Sequence, residues 1–288
     1  MSNFKIHTDS ACDISPALLS EWDVGFSELT FRFDGDEKEY SNNELAPEAF
    51  YQKMREGGVA KTAAVNVDTF VIAFEKILKE GYDVLHLGFS SGLSTTFNSA
   101  RLAALQLAED YPDRKIVVID TLAASAGEGM LVYLAVKKLQ EGVSLEETAA
   151  YIESIKLNLS HWFTVDDLVY LKRGGRVSPT AAFVGNMLGI KPVLHVDNEG
   201  HLTPVVKIRG RKMSIQEMAN RYTETAIDPT AGPVFISHGD CLKDAEGLAA
   251  ILKERHGVET EIITPVGPVI GAHAGPGVLA LFFLGNER

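Results

Sequence analysis

The sequence predicts an α/β protein in two domains, a parallel α/β domain over residues 1–159 and a mixed α+β domain over residues 160–288. Three observations carry this reading. Val84–Phe89, Phe97–Glu109 and Ile116–Ile119 read as strand, helix and strand, with the spacing of a βαβ unit in a parallel sheet. Ile190–Val196 and Leu202–Ile208 flank Asp197-Asn198-Glu199-Gly200, which signals an antiparallel hairpin. The 288 residues exceed the usual size of a single domain.

In chain order, Lys5–Thr8 reads as the opening strand, and Ser15-Pro16 as an N-cap followed by Pro at the first helical position. Gly25–Phe33 alternates as a strand does, with Asp34-Gly35 as a turn into a hairpin. Pro47–Glu56 and Asp68–Glu80 read as helices stopped by glycine. After the βαβ unit come helices over Ser125–Gln140 and Leu145–Leu159, the second opened by a capping box of Ser144 and Glu147. His161–Val165 is a short strand, and Arg173-Gly174-Gly175-Arg176 a basic turn. Beyond the hairpin lie a helix over Met213–Thr225, a strand over Val234–Ser237 and a helix over Leu242–Arg255. Strands over Glu259–Thr264 and Val278–Leu284 bracket a glycine-rich turn.

Composition narrows the function. The 39 acidic and 27 basic side chains leave a charge of −12, unsuited to nucleic acid or an anionic membrane surface. Two cysteines, Cys12 and Cys241, are too few for a disulfide framework or a thiolate zinc site. No export signal opens the chain and no apolar run has the length of a membrane span, so a soluble, cytoplasmic protein without stable membrane insertion is expected. The histidines lack metal-ligand spacing, Asp34 and Asp36 lack the rest of a calcium loop, and neither phosphate-binding glycine motif is present.

Three segments could carry chemistry. Gly88–Thr96 joins a strand to a helix, where free N–H groups and hydroxyls favour an anion; Ser94 through Thr96 could equally be simple helix caps. The same segment matches G-x-S-x-G at Gly88, Ser90 and Gly92, with Asp240 and His273 following in acid-then-histidine order, which leaves a serine hydrolase as the alternative. Gly267–Gly277 sets His273 in a frame of glycine and proline; it reads as a site that donates to an anionic oxygen, or as a connecting loop. Finally, eight basic and two acidic side chains between Lys172 and Lys212 make a local +6 against −18 elsewhere, either a docking face for a phosphate-bearing or acidic partner or a solvated surface.

In their order along the chain, several stretches resemble the DegV family of bacterial fatty-acid-binding proteins: Thr8-Asp9-Ser10 with Asp13, Ser90–Ala100, Phe163–Ser178, Leu188–Leu194, Gly200–Lys212 and Gly267–Gly277. The resemblance implies a two-domain DegV-like fold with one acyl chain in a tunnel at the junction of the domains. It implies a carrier, not itself an enzyme, that presents the acid to a separate fatty acid kinase subunit for phospholipid synthesis. Thr62, Ser94 and His273, with the Thr95 amide, would grip the carboxylate. Arg173, Arg176 and Arg209 would dock the partner or stabilise phosphate. No cofactor or metal is implied beyond the bound fatty acid. The family usually has Thr-Ser-Gln-Pro-Ser where this chain has Thr62-Ala63-Ala64-Val65-Asn66, and Gly where it has Thr95, differences that bear on acyl selectivity.

Overall fold

The computed structural model describes residues 3–177 and 189–288, so Ser178 and Leu188, at the ends of two of the stretches above, lie outside the described residues. Strands β1 (Phe4–Asp9), β2 (Gly25–Ser27), β6 (Asp83–Gly88) and β7 (Ile116–Asp120) form a wholly parallel sheet in the order β2-β1-β6-β7. Helix α1 (Pro16–Glu21) connects β1 to β2, starting where Ser15 Oγ accepts the Leu18 N–H with Pro16 behind it. Helix α4 (Thr96–Asp110) makes the crossover from β6 to β7, as the βαβ spacing predicts.

The strand expected over Gly25–Phe33 divides between two sheets. After β2 the chain turns away through Glu28-Leu29, and β3 (Thr30–Phe33) pairs instead with β4 (Tyr40–Ser41) and β5 (Ala60–Ala63) in a small antiparallel sheet. Two short strands joined without a turn residue look like one alternating run, so periodicity alone does not separate them. Helix α2 (Pro47–Arg55) packs Phe50 and Tyr51 among Phe31 and Phe33 of this sheet, and helix α3 (Val67–Lys79) follows it.

Helix α5 (Ala126–Gln140) is buried over its first two turns because a sheet lies on either side of it. Helix α6 (Leu145–Ile155) opens with the capping box of Ser144 and Glu147 and ends earlier than the periodicity suggests, since Leu159 already begins a strand. That strand, β8 (Leu159–Thr164), belongs to a six-stranded mixed sheet with β9 (Ile190–Val196), β10 (Leu202–Arg209), β11 (Phe235–His238), β12 (Ile262–Pro265) and β13 (Leu279–Leu284). Its order is β10-β9-β8-β13-β11-β12, antiparallel throughout except for β11 and β12. The β9–β10 hairpin turns where the sequence places it.

Helices α8 (Arg211–Thr225) and α9 (Leu242–His256) pack against the outer face of the mixed sheet, around Val193, Ile236 and Phe283. Its inner face presents Phe163, Leu194 and Phe282 to α5 and to Leu85 and Leu87 of the parallel sheet, in one continuous core. The short helix α7 (Val169–Arg173) follows β8. The glycine-rich segment read as a turn contains a further helix, α10 (Pro268–Ala274). Gly267 is its N-cap and Pro268 its first residue; proline is tolerated there because the first N–H of a helix has no intrahelical partner.

Candidate functional site

The parallel sheet grows in opposite directions from β1 and β6: β2 lies outside β1, and β7 outside β6. At such a switch point the connecting loops diverge, leaving a crevice beyond the carboxyl ends of the strands. Those ends are Asp9 and Gly88. The loop that follows Gly88 reaches a cavity of about 450 Å3 between the parallel sheet and the inner face of the mixed sheet. That volume falls among small-molecule pockets, which hold about 300–1,000 Å3.

The cavity is lined mainly by apolar side chains, with polar ones gathered around His273. Its more accessible lining includes Thr62, Ala63 and Ala64 from β5 onward, Ser94 and Thr95 at the start of α4, Arg176 after α7, and Ile270 and His273 on α10. Its buried lining includes Phe89 and Leu93 from the β6–α4 loop, Phe163, Ala280 and Phe282 from the mixed sheet, and Val269 from α10. Residues more than two hundred positions apart thus meet: Thr62 Oγ1 lies 2.8 Å from His273 Nε2.

Each polar group has an identifiable setting. Ser94 Oγ accepts the Thr96 N–H at 3.2 Å and lies 2.9 Å from Thr96 Oγ1, so it satisfies the first N–H of the helix while lining the cavity. Burial, helped by the positive charge of Arg176, pushes the His273 pKa down to about 4, leaving a neutral imidazole at neutral pH. The Arg176 guanidinium donates from Nε to the Leu93 carbonyl at 3.1 Å and from Nη1 to the Gly174 carbonyl. These bonds hold a cation in the cavity wall beside His273. Arg173 and Arg209 do not line the cavity: both are exposed, Arg173 over the Tyr170 ring and Arg209 at the end of β10.

The serine-hydrolase alternative needs Ser90, Asp240 and His273 in contact, and the fold engages each elsewhere. Ser90 is fully buried and donates to the Gly200 carbonyl at 3.0 Å. Asp240 pairs with Arg55 on the surface, and His273 bonds Thr62. Ser90 also lacks the strained backbone of a nucleophile elbow, being absent from the positive-φ residues. Among the described residues no cluster of His, Cys, Asp and Glu could hold a metal ion, and no helix is long and apolar enough to cross a membrane.

The DegV family model matches residues 3–286. The chain belongs to the DegV family. A DegV domain-containing protein of Clostridium perfringens is 43% identical over 100% of this chain and 99% of its own length. Among solved structures, a DegV lipid-binding protein from Thermotoga maritima is 32% identical, with a TM-score of 0.87 and full coverage of both chains. A DegV family protein from Thermus thermophilus, described for its fatty acid binding, is 30% identical with a TM-score of 0.85, over 98% of this chain and 99% of that one. Within this DegV fold, the Thr8-Asp9-Ser10 stretch ends β1, and the Gly267–Gly277 stretch forms α10 and its flanking turns.

Some lining residues went unrecognised in the sequence. His161 reads as a strand residue; its Nδ1–H donates to the Leu159 carbonyl at 3.0 Å, and burial holds its pKa well below the usual histidine range. Ser125 and Ser237 also line the cavity, 3.0 Å apart. A lone serine between helix and strand signals carry no pattern; only the packing of α5 against the mixed sheet brings these two together.

Proposed function

We propose that this protein binds a long-chain fatty acid, with its carboxylate held by Thr62, Ser94, the Thr95 amide and His273, and presents that carboxylate to a separate fatty acid kinase subunit. One observation carries the reading: hydroxyls, a neutral imidazole and a guanidinium line the same cavity as a mainly apolar wall. An acyl chain gains about 0.8 kcal/mol for each methylene taken from water, whereas its carboxylate is costly to bury without donors. The cavity lining meets both demands. Charge-assisted bonds to a carboxylate are the stronger kind, and Arg176 supplies the balancing charge. Solved relatives described as lipid-binding and fatty-acid-binding support the same ligand.

The two domains, residues 1–159 and 160–288, would clasp the chain between them. The kinase step follows from the family resemblance and the exposed Arg173 and Arg209. The partner would move the terminal phosphoryl group of ATP onto a carboxylate oxygen, giving an acyl phosphate and ADP. This chain needs no nucleophile for that step; Arg176 would offset the growing negative charge.

Mass spectrometry under denaturing conditions tests the ligand. Protein purified from bacteria should release an intact, non-covalent fatty acid, and a Ser94→Ala/His273→Ala double variant should lose it. Normal lipid occupancy in that variant would overturn the site. Covalent labelling of Ser90 by a fluorophosphonate, with ester turnover, would overturn the carrier reading in favour of a hydrolase.

A further inference from the structure

The buried side of the cavity is fastened by a residue that does not line it. Asp13 follows β1 with a left-handed backbone, φ 50°, unusual for a residue other than glycine. Its carboxylate bonds in two directions. Oδ1 accepts the Gly267 N–H at 2.9 Å, at the N-cap of the helix that carries His273. Oδ2 lies 2.5 Å from Ser125 Oγ, which is in turn 3.0 Å from Ser237 Oγ. The Asp13 carbonyl accepts a third bond, from Thr264 Oγ1 at 2.8 Å. Gly267, Thr264 and Ser237 belong to the mixed-sheet part of the chain, and Asp13 and Ser125 to the part containing the parallel sheet. A Cβ on Gly267 would lie 2.9 Å from Asp13 Oδ1, so the approach depends on glycine there.

We propose that Asp13 is the positioning residue of the lipid site: it latches α10, and with it His273, across the junction to the wall formed by Ser125 and Ser237. This rests on the fatty-acid reading above. To let the acyl chain out, the junction opens, and Asp13 then exchanges its buried partners for water.

That exchange makes release sensitive to protons. Burial pushes the Asp13 pKa up to about 7, whereas a hydrated aspartate titrates near 4. The closed state therefore holds a proton that the open state gives up between these values, and rising pH favours opening. A protonated Asp13 donates to Ser125, which donates to Ser237; on ionisation both bonds reverse, so the contacts survive in either state. The titratable groups facing Asp13 are Asp9, Cys12, Tyr51 of α2 and Glu128 of α5; His238 of β11 accepts instead from the Cys241 N–H, and His273 of α10 lies against Thr62. Burial pushes Cys12, Tyr51 and Glu128 well up, and Glu128 accepts from Thr8 Oγ1 on its own side of the junction. Asp9, at about 6, bonds only the Phe89 and Ala11 amides on its own side of the junction.

The test follows release of loaded palmitic acid to albumin between pH 6 and 8. Wild-type release should accelerate about tenfold over this span, with its bend near 7. Asp13→Asn keeps an acceptor for Gly267 and a donor for Ser125 without charge; it should release slowly and evenly at every pH. Asp9→Asn should keep the rise. An Asp13→Asn profile that still climbs like wild type overturns the latch. Wild type that takes up no palmitic acid at any pH overturns the fatty-acid reading instead. Amide exchange of lipid-free protein then tests the latch separately: Gly267 exchange in wild type relative to Asp13→Asn should rise about tenfold from pH 6 to 8, and a constant ratio overturns it.

Discussion

His273 does little alone; what surrounds it sets its chemistry. Thr62 holds one ring nitrogen, and burial beside Arg176 keeps the ring neutral. Gly174 supports the other side: a Cβ there would lie 2.1 Å from His273 Nδ1, far inside contact distance. Gly174→Ala should therefore displace the imidazole and lower fatty-acid retention severalfold, with a smaller effect on the thermal midpoint. Retention at the wild-type level, measured by mass spectrometry of extracted lipid, would show that the ring need not stay in place. His273 was legible because glycine and proline crowd around it. Asp13 and Ser125 were not legible as partners, because a bond between residues 112 positions apart leaves no local pattern.

Elements whose signals are local were read well. The Ser144 and Glu147 capping box forms with both reciprocal bonds, and Ser15-Pro16 starts α1. The Ser144→Ala variant should cost about 1 kcal/mol, read as a lower urea midpoint with an unchanged slope and unchanged lipid content. Elements whose character depends on neighbours were read less well. The segment Gly25–Phe33 divides because β1 claims its first part and β5 its last. Helix α10 escaped notice because glycine and proline ordinarily argue for a turn, whereas here Pro268 occupies the one helical position that suits it. Its first turn is secured from outside, where Asn42 Oδ1 accepts the Val269 N–H at 2.9 Å.

Across the whole molecule, the charge of −12 conceals a basic region between Lys172 and Lys212. The structure sorts its members. Lys191 is paired with Asp166, Arg211 with Asp244, and Arg176 is drawn into the cavity wall, while Arg173 and Arg209 stay exposed. Reversing both exposed charges, Arg173→Glu with Arg209→Glu, should cut acyl phosphate formation with an added fatty acid kinase about tenfold or more, and most at low salt. Bound fatty acid, measured in the same preparations, should be unchanged; loss of lipid would assign these arginines to the ligand site instead.

By itself the sequence determined the α/β class, the βαβ unit, the β9–β10 hairpin and the family, because periodicity, turn chemistry and motif order are written along the chain. It also supplied Ser94 and His273 as candidates from their own segments, and Thr62 and Thr95 through the resemblance. Only the tertiary structure decided that these four share one cavity, that Arg176 joins them while Arg173 and Arg209 do not, and that Asp13 bonds both Ser125 and the Gly267 amide. The physical reason is distance along the chain. A helix or hairpin forms from neighbours, whereas this site forms where two sheets close over one helix, bringing together residues whose spacing in sequence carries no trace of their contact.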